Sequence, residues 1–403
     1  MPPDVDYLLV GGGLQNGLIA LALLNRNPDV RILLVEKESR LAGDHTWSFH
    51  QTDVPSAARP WFDPLISARW DKVVVRFPHH FRTYSSGYAS ILSSSFDEVV
   101  SKTIDRSSQS QLKRSCEVKE VFPHGVRLAS GETISASLVV DSRGPIAQHR
   151  GTGYQKFIGW DVELAEGLLP TSPTIMDATV AQRDGYRFLY ILPFTRTRGL
   201  IEDTVFSDSP HLSRTDMRQS IMNVLHDHGY QVRRLLREES GVLPMPWVLP
   251  RSKDPVYQPG LLRGGYCGGW FHPATGYSLP IACRLAQAIA DAHDREPIDQ
   301  VMARLMKEHA SQSRFARLLN RLLFSGFAPE ERYHVFERFY RMPLDLIERF
   351  YRLELTKGDQ QSLVCGRPPR GFSFRTFLRN HFVRNILPSS PKPASFLPSQ
   401  DSA

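Results

Sequence analysis

The chain has 403 residues, 41% of them apolar and 23% charged, a composition that suits a folded protein of roughly two or three structural units and excludes a disordered one. No run approaches the ~18 consecutive apolar residues of a membrane-spanning helix, which excludes a polytopic membrane protein. The net charge of +7 is local: between Arg295 and Pro388 there are 17 Lys and Arg against 10 Asp and Glu, while the remainder holds 32 of each.

Tyr7 to Val10 is a short apolar run that stops at Gly11-Gly12-Gly13. Leu18 to Leu24 then suits a buried helix, and a second run, Arg31 to Val35, ends at Glu36. Strand, glycine turn, helix and strand predict a βαβ unit. The opening residues therefore read as a folded strand, and no secretory signal is expected. Strands are predicted at Lys72 to Phe77, Ser137 to Val140 and Thr174 to Val180. Tyr186 to Pro193 and Gly199 to Phe206 flank Phe194 to Arg198 as a hairpin. The middle of the chain thus reads as a sheet layer over a ligand.

From about Ile281 the period becomes helical. Phe315, Leu318, Leu319, Leu322 and Leu323 fall on one stripe, flanked by Arg314, Arg317 and Arg321. Leu346, Ile347, Phe350 and Tyr351 form a second set, and Phe374, Phe377, Leu378 and Phe382 a third. Pro388 to Ala403, rich in Pro and Ser, reads as a disordered tail. The four cysteines, Cys116, Cys267, Cys283 and Cys365, contain no C-x-x-C pair. That excludes a disulfide framework and a zinc ribbon and suggests a reducing compartment; no metal is expected.

Gly11-x-Gly13-x-x-Asn16-Gly17 lies between a strand and a helix, with Glu36 placed 25 residues after the first glycine. Glycines there let the backbone approach a pyrophosphate at a helix N-terminus, and the acid can accept from ribose hydroxyls. The alternative is a structural glycine turn. Asn16 stands where a third glycine is usual. Leu138 to Gly144, which includes Asp141, resembles a late strand of flavoproteins of the glutathione-reductase and hydroxylase type. The segment GYCGGWFHPATGYSLP from Gly265 resembles their second flavin motif, with Pro273, Ala274, Thr275 and Gly276 as its turn and Tyr277 next. Tyr266 stands where that motif commonly has aspartate. The resemblance implies an α/β fold: a Rossmann-type FAD-binding domain, an antiparallel-sheet substrate domain and a C-terminal helical region. The expected divisions are 1–50, 85–150 and 255–295 for the FAD domain, and 51–84 with 151–254 for the substrate sheet. A basic, membrane-facing helical region follows at 296–388, with a tail at 389–403.

DHTWSFH (Asp44 to His50), IMDATV (Ile175 to Val180), GYRFLYILP (Gly185 to Pro193), IEDT (Ile201 to Thr204) and FHPATGYSLP (Phe271 to Pro280) together resemble the bacterial lycopene beta-cyclases, from Tyr7 to about Pro369. The resemblance implies a monotopic enzyme on the cytoplasmic side of the membrane. It implies a requirement for FAD in its reduced form, the reductant being NAD(P)H or another donor, and a product that is an isomer of lycopene. Lycopene has no heteroatom, so recognition needs an apolar, aromatic tunnel, and cyclisation begins by protonating a terminal alkene. A carboxylic acid kept dry among aromatic side chains holds its proton near neutrality and could later act as the base.

The resemblance selects Glu202 for that carboxyl. Side chains alternate along a strand, so Glu202 and Asp203 cannot both face the ligand; the alternative is a solvated strand edge for both. Asp177 is the second candidate, as an acid or a partner to Glu202, against a strand-end hydrogen bond. Trp47 could offer its π face to a cation. His45 could contact the cofactor or fix its loop. Tyr186, Phe188 and Tyr190 share one strand face and suit a polyene wall, the alternative being ordinary sheet core; Arg187 points the other way. The arginine-flanked C-terminal stripes suit an anionic membrane surface that delivers lycopene or a related acyclic carotenoid, the alternative being internal packing. Nucleic acid is disfavoured, because no recognised binding motif accompanies the basic region. The competing functions are a flavin monooxygenase or reductase acting on a polyprenoid, and a noncatalytic carotenoid carrier.

Overall fold

The computed structural model describes residues 2–144, 151–248, 254–293, 295–366, 368–375 and 377. Leu378, Phe382 and the expected tail lie outside them. The chain begins with the strand Val5–Val10, the helix Leu14–Arg26 and the strand Ile32–Val35, the two strands pairing in parallel. Thr133–Asp141 lies in parallel on the other side of the first strand, followed outward by Leu261–Arg263, and Gln111–Lys113 lies beyond Ile32–Val35. Residues 7–10, 32–35 and 138–140 at the centre of this sheet are buried on both faces, as parallel sheets require, and so read as unbroken apolar runs. The helices Leu14–Arg26 and Leu279–Ala292 pack side by side. Gly17 allows a third helix, Ser93–Asp105, to approach: a Cβ at Gly17 would lie 2.2 Å from the Phe96 ring.

The second sheet has seven strands in the order Gln231–Pro246, Thr152–Glu166, Arg198–Ser207, Tyr186–Pro193, Thr174–Asp177, Val73–Phe77 and His80–Tyr84. Its pairings are antiparallel except that between Thr174–Asp177 and Val73–Phe77. One face, carrying Ile158, Val162, Leu189, Ile191, Ile201 and Val205, buries against Met217, Ile221, Val224 and Leu225 of the helix Arg214–Asp227. The opposite face is left for the cavity. A three-stranded sheet of Thr46–His50, Tyr88–Leu92 and Ala68–Trp70 adds a further wall.

The C-terminal part is helical: Ile298–Gly326, Tyr333–Phe339, Leu344–Arg352 and Lys357–Val364. Two of the three apolar stripes pack largely inward, as the alternative of internal packing expects. Leu346, Ile347 and Phe350 are buried, and Leu319, Leu322 and Leu323 line the internal cavity, leaving Leu318 as the exposed leucine of its stripe. The reason is that an amphipathic period marks a face to be covered without saying by what, and here an internal partner exists. Among the described residues no helix is long and apolar enough to cross a membrane.

Candidate functional site

At the first turn Gly11 has φ +94°, and the helix that follows begins at Leu14 with Gly13 as its cap. Among the described residues no side chain caps that N-terminus and nothing lies within 4 Å of a Cβ placed on Gly13, and the helix has no acid in its first turn. The N–H groups and dipole are therefore open to an anion. The Glu36 carboxylate accepts from Gly12 N at 2.6 Å and from Glu38 N at 2.8 Å, which sets it at the edge of this turn. Asn16 is fully buried: its amide donates to the carbonyls of Val10, Gly11 and Val140, and its oxygen accepts from Ser142. It fastens the turn to the neighbouring strand. Asp141 ends that strand, paired with Arg143.

A cavity of about 890 Å³ lies beneath the seven-stranded sheet. Its lining includes Lys37, His45 and Gly144 from the first unit, Thr275, Gly276 and Tyr277 from the second glycine turn, and Leu319, Leu323 and Phe372 from the C-terminal part. The walls are aromatic: Trp47, Tyr88, Phe157, Phe188, Tyr190, Phe336, Tyr340 and Tyr351 all contribute. Gly276 takes φ +68° at the turn, and Tyr277 donates its hydroxyl to Asp53 at 2.9 Å. Pro273 presents its carbonyl to Asn320, 2.6 Å away.

Glu202 lines this cavity and Asp203 does not. Asp203 is buried on the opposite face in an ion pair with Arg187 at 2.9 Å, which accounts for the arginine on the neighbouring strand. Thr204, two residues on and so on the cavity face, donates to Glu202 Oε1 at 2.5 Å. Burial, followed by the nearby Glu239 carboxylate, holds the Glu202 carboxyl above the ordinary carboxylate range. Glu239 is the acid that approaches Glu202. It accepts from Arg237 at 2.7 Å and from Thr46 at 3.1 Å, and burial raises it too, against the pull of that guanidinium.

Asp177 is placed elsewhere. Its carboxylate accepts from Thr179 N at 3.1 Å and Thr179 Oγ1 at 2.5 Å, and it does not line the cavity. The second acid beside Glu202 is thus Glu239 in place of Asp177, because a residue at the end of a strand can satisfy itself on its own backbone. Phe188 and Tyr190 line the cavity, whereas Tyr186 lies behind it, stacked on Phe336 with ring centroids 4.0 Å apart and bonded to Met176. Trp47 packs on Phe96 and His45 stands exposed beside it.

Reading the sequence missed Glu239, Tyr88 and Asp53. A signal for Glu239 existed: Glu238 and Glu239 form an adjacent acidic pair, as Glu202 and Asp203 do, and one member of such a pair on a strand must face inward. The charged run QVRRLLREES concealed the strand that carries it.

A family model described as Lycopene cyclase protein matches residues 6–376. The chain belongs to the lycopene cyclase family. Among its relatives, the lycopene beta-cyclase of Pseudescherichia vulneris is 40% identical over 384 residues, covering 94% of this chain and 98% of that protein. The lycopene beta-cyclase of Pantoea ananas is 41% identical over 375 residues, covering 92% and 96%. In fold this lycopene cyclase family member is similar to PqsL, a probable FAD-dependent monooxygenase from Pseudomonas aeruginosa (TM-score 0.58, 14% identity, 82% of this chain and 97% of that one). It is also similar to a geranylgeranyl bacteriochlorophyll reductase-like protein from Thermoplasma acidophilum (TM-score 0.57, 13% identity, 94% and 96%). The α/β architecture expected from the sequence is thus the one found.

Proposed function

We propose that this chain is a lycopene beta-cyclase: an FAD-dependent enzyme that turns the linear ends of lycopene, or of a related acyclic carotenoid, into beta-ionone rings with no net oxidation or reduction. The observation that carries this reading is a carboxyl, Glu202, raised by burial inside an aromatic cavity. The open helix N-terminus at Gly13 supports the cofactor assignment. So does the orphaned Oε1 of Gln15, a buried polar atom one residue into the same helix with no hydrogen-bond partner among the described residues. Gly11, Gly13 and Gly17 with Asn16 would shape the pyrophosphate site, Glu36 would take the ribose, and Asp141, His45, Pro273, Thr275, Gly276 and Tyr277 would surround the rest of FAD. Residues 1–50, 85–150 and 255–295 would form that unit, and 51–84 with 151–254 the substrate sheet.

Reduced FAD, when bound, supplies negative charge close to a developing cation. The chain does the proton work. Glu202 gives its proton to the terminal alkene, and the neighbouring double bond attacks the tertiary cation to close the ring. The Glu202 carboxylate then recovers a proton from the adjacent carbon. One proton enters and one leaves, so the product is an isomer. Trp47, Phe188 and Tyr190 offer π faces to the cation and exclude water. Phe374, Val364 and Leu318, exposed at 66%, 45% and 44%, together with the arginines of the same region, would rest on the cytoplasmic side of an anionic membrane from which the hydrocarbon enters. NAD(P)H or another donor would keep the flavin reduced.

The test is anaerobic incubation with lycopene and chemically reduced FAD in heavy water. One deuterium fixed per ring with no flavin oxidation is expected; a gain of two hydrogens, or NAD(P)H consumed with each turnover, would instead indicate a reductase or monooxygenase. Glu202→Gln should retain FAD and lose about 100-fold or more in rate.

A further inference from the structure

We infer that Glu239 is the positioning residue for the proton on Glu202: the two acids form a one-proton pair in which Glu239, held by Arg237 and Thr46, carries the charge and Glu202 keeps the proton. This rests on the reading of Glu202 as the acid. The pair is built by strand register. Tyr190, Glu202, Gly159 and Glu239 stand opposite one another on four adjacent strands, so all four share the cavity face. The residue between the two acids has no side chain. A Cβ on Gly159 would lie 3.4 Å from Glu202 Cβ and 3.2 Å from Glu239 Cγ, so the acids lean over the glycine from either side.

Two buried carboxyls on the same face, one on each side of Gly159, repel each other when both are ionised, which favours the form that holds one proton between them. Their partners decide which one ionises. Glu239 accepts from a guanidinium at 2.7 Å and a hydroxyl at 3.1 Å, and Arg237 also donates to Thr46 at 2.6 Å. Glu202 has the Thr204 hydroxyl on Oε1. The other groups around Glu202 do not reverse this order. Tyr190 is tied to the Tyr88 hydroxyl at 2.8 Å, Asp203 faces away toward Arg187, and Asp161, one row along, is paired with Arg198. His45 stands at the rim. The repulsion that keeps a proton on Glu202 also favours its return after it has been given to the substrate, because the pair is doubly negative only while the cation exists.

The experiment follows the rate of lycopene cyclisation against pH in the FAD-loaded protein, with lycopene in phosphatidylcholine vesicles and chemically reduced FAD. Activity falls on the alkaline side as Glu202 loses its proton. Glu239→Gln removes the neighbouring anion, so Glu202 loses its proton more easily and the alkaline limb should move about 1 pH unit lower. Arg237→Gln removes the cation that stabilises the charged pair, so the limb should move higher. Damage to the site would lower both rates without moving the limb in opposite directions. If Glu239→Gln fails to retain FAD, the upward shift in Arg237→Gln alone decides. An unmoved limb in both variants would overturn the inference while leaving an inactive Glu202→Gln, and hence the parent reading, standing. A fully active Glu202→Gln would overturn both.

Discussion

Asp53 illustrates what burial does to one residue. It is 1% exposed, Oδ2 accepts from Tyr277 and from His50 N at 2.9 Å each, and Oδ1 has no hydrogen-bond partner among the described residues. Burial pushes its carboxyl up to about 7. An unfolded chain would release that proton near 3.9. The folded protein therefore binds the extra proton between these values, and the associated stability is full below about pH 4 and is lost as pH rises through about 7. Urea unfolding of the wild-type protein should show stability falling across that window, with a shallower fall in Asp53→Asn. Glu202 and Glu239 act with the same sign, so the slope should shrink without vanishing. Equal slopes would show that Asp53 does not hold its proton in the fold. Asp53 was not legible in the sequence, because an isolated acid in a polar stretch has the same letter whether it is solvated or buried, whereas Glu239 left the weaker signal of an acidic pair with Glu238.

At the scale of elements, the strand Arg198–Ser207 shows which sequence signals survive folding. Its alternation separates Glu202 from Asp203 whatever the strand packs against. The partner of Asp203 was not foreseen, although Arg187 lies opposite Val205 and two residues, hence on the same face, from Leu189, the cross-strand neighbour of Asp203. Arg187 also bonds to Ser220, which ties the sheet to the helix Arg214–Asp227. Removing one member of a buried pair leaves the other uncompensated. Asp203→Asn should therefore cost about 3 kcal/mol in urea unfolding, while cyclisation per folded molecule stays near that of the wild type. A cost below about 0.5 kcal/mol, typical of an exposed site, would show that the pair is solvated. Helix periods were equally legible at Leu344–Arg352, but the side that covers each stripe was not.

For the whole molecule, the charge excess and the helices coincide, and the exposed Val364 and Phe374 lie in the same stretch of chain. Basic residues close to an anionic surface contribute about 1 kcal/mol each, and salt screens the attraction. Co-sedimentation with phosphatidylglycerol vesicles should be strong at low ionic strength and weaken in about 0.5 M salt, where the screening length falls to a few ångströms. The double variant Val364→Ser, Phe374→Ser should bind less at every salt concentration. Equal binding to neutral vesicles, unaffected by salt, would remove the electrostatic part of the proposal.

The sequence alone determined the βαβ opening, the hairpin of Tyr186–Pro193 with Arg198–Ser207, the glycine turns and the placement of Glu202 and Asp203 on opposite faces of their strand. Each follows from steric rules that act over a few residues, in which period, turn chemistry and the freedom of glycine leave little choice. Only the tertiary structure decided that Glu239 stands across Gly159 from Glu202, that Tyr186 stands behind the wall and that Leu346, Ile347 and Phe350 turn inward. Those outcomes depend on strand order and on which surfaces meet, and contacts between residues tens to hundreds of positions apart leave no periodic mark in the sequence.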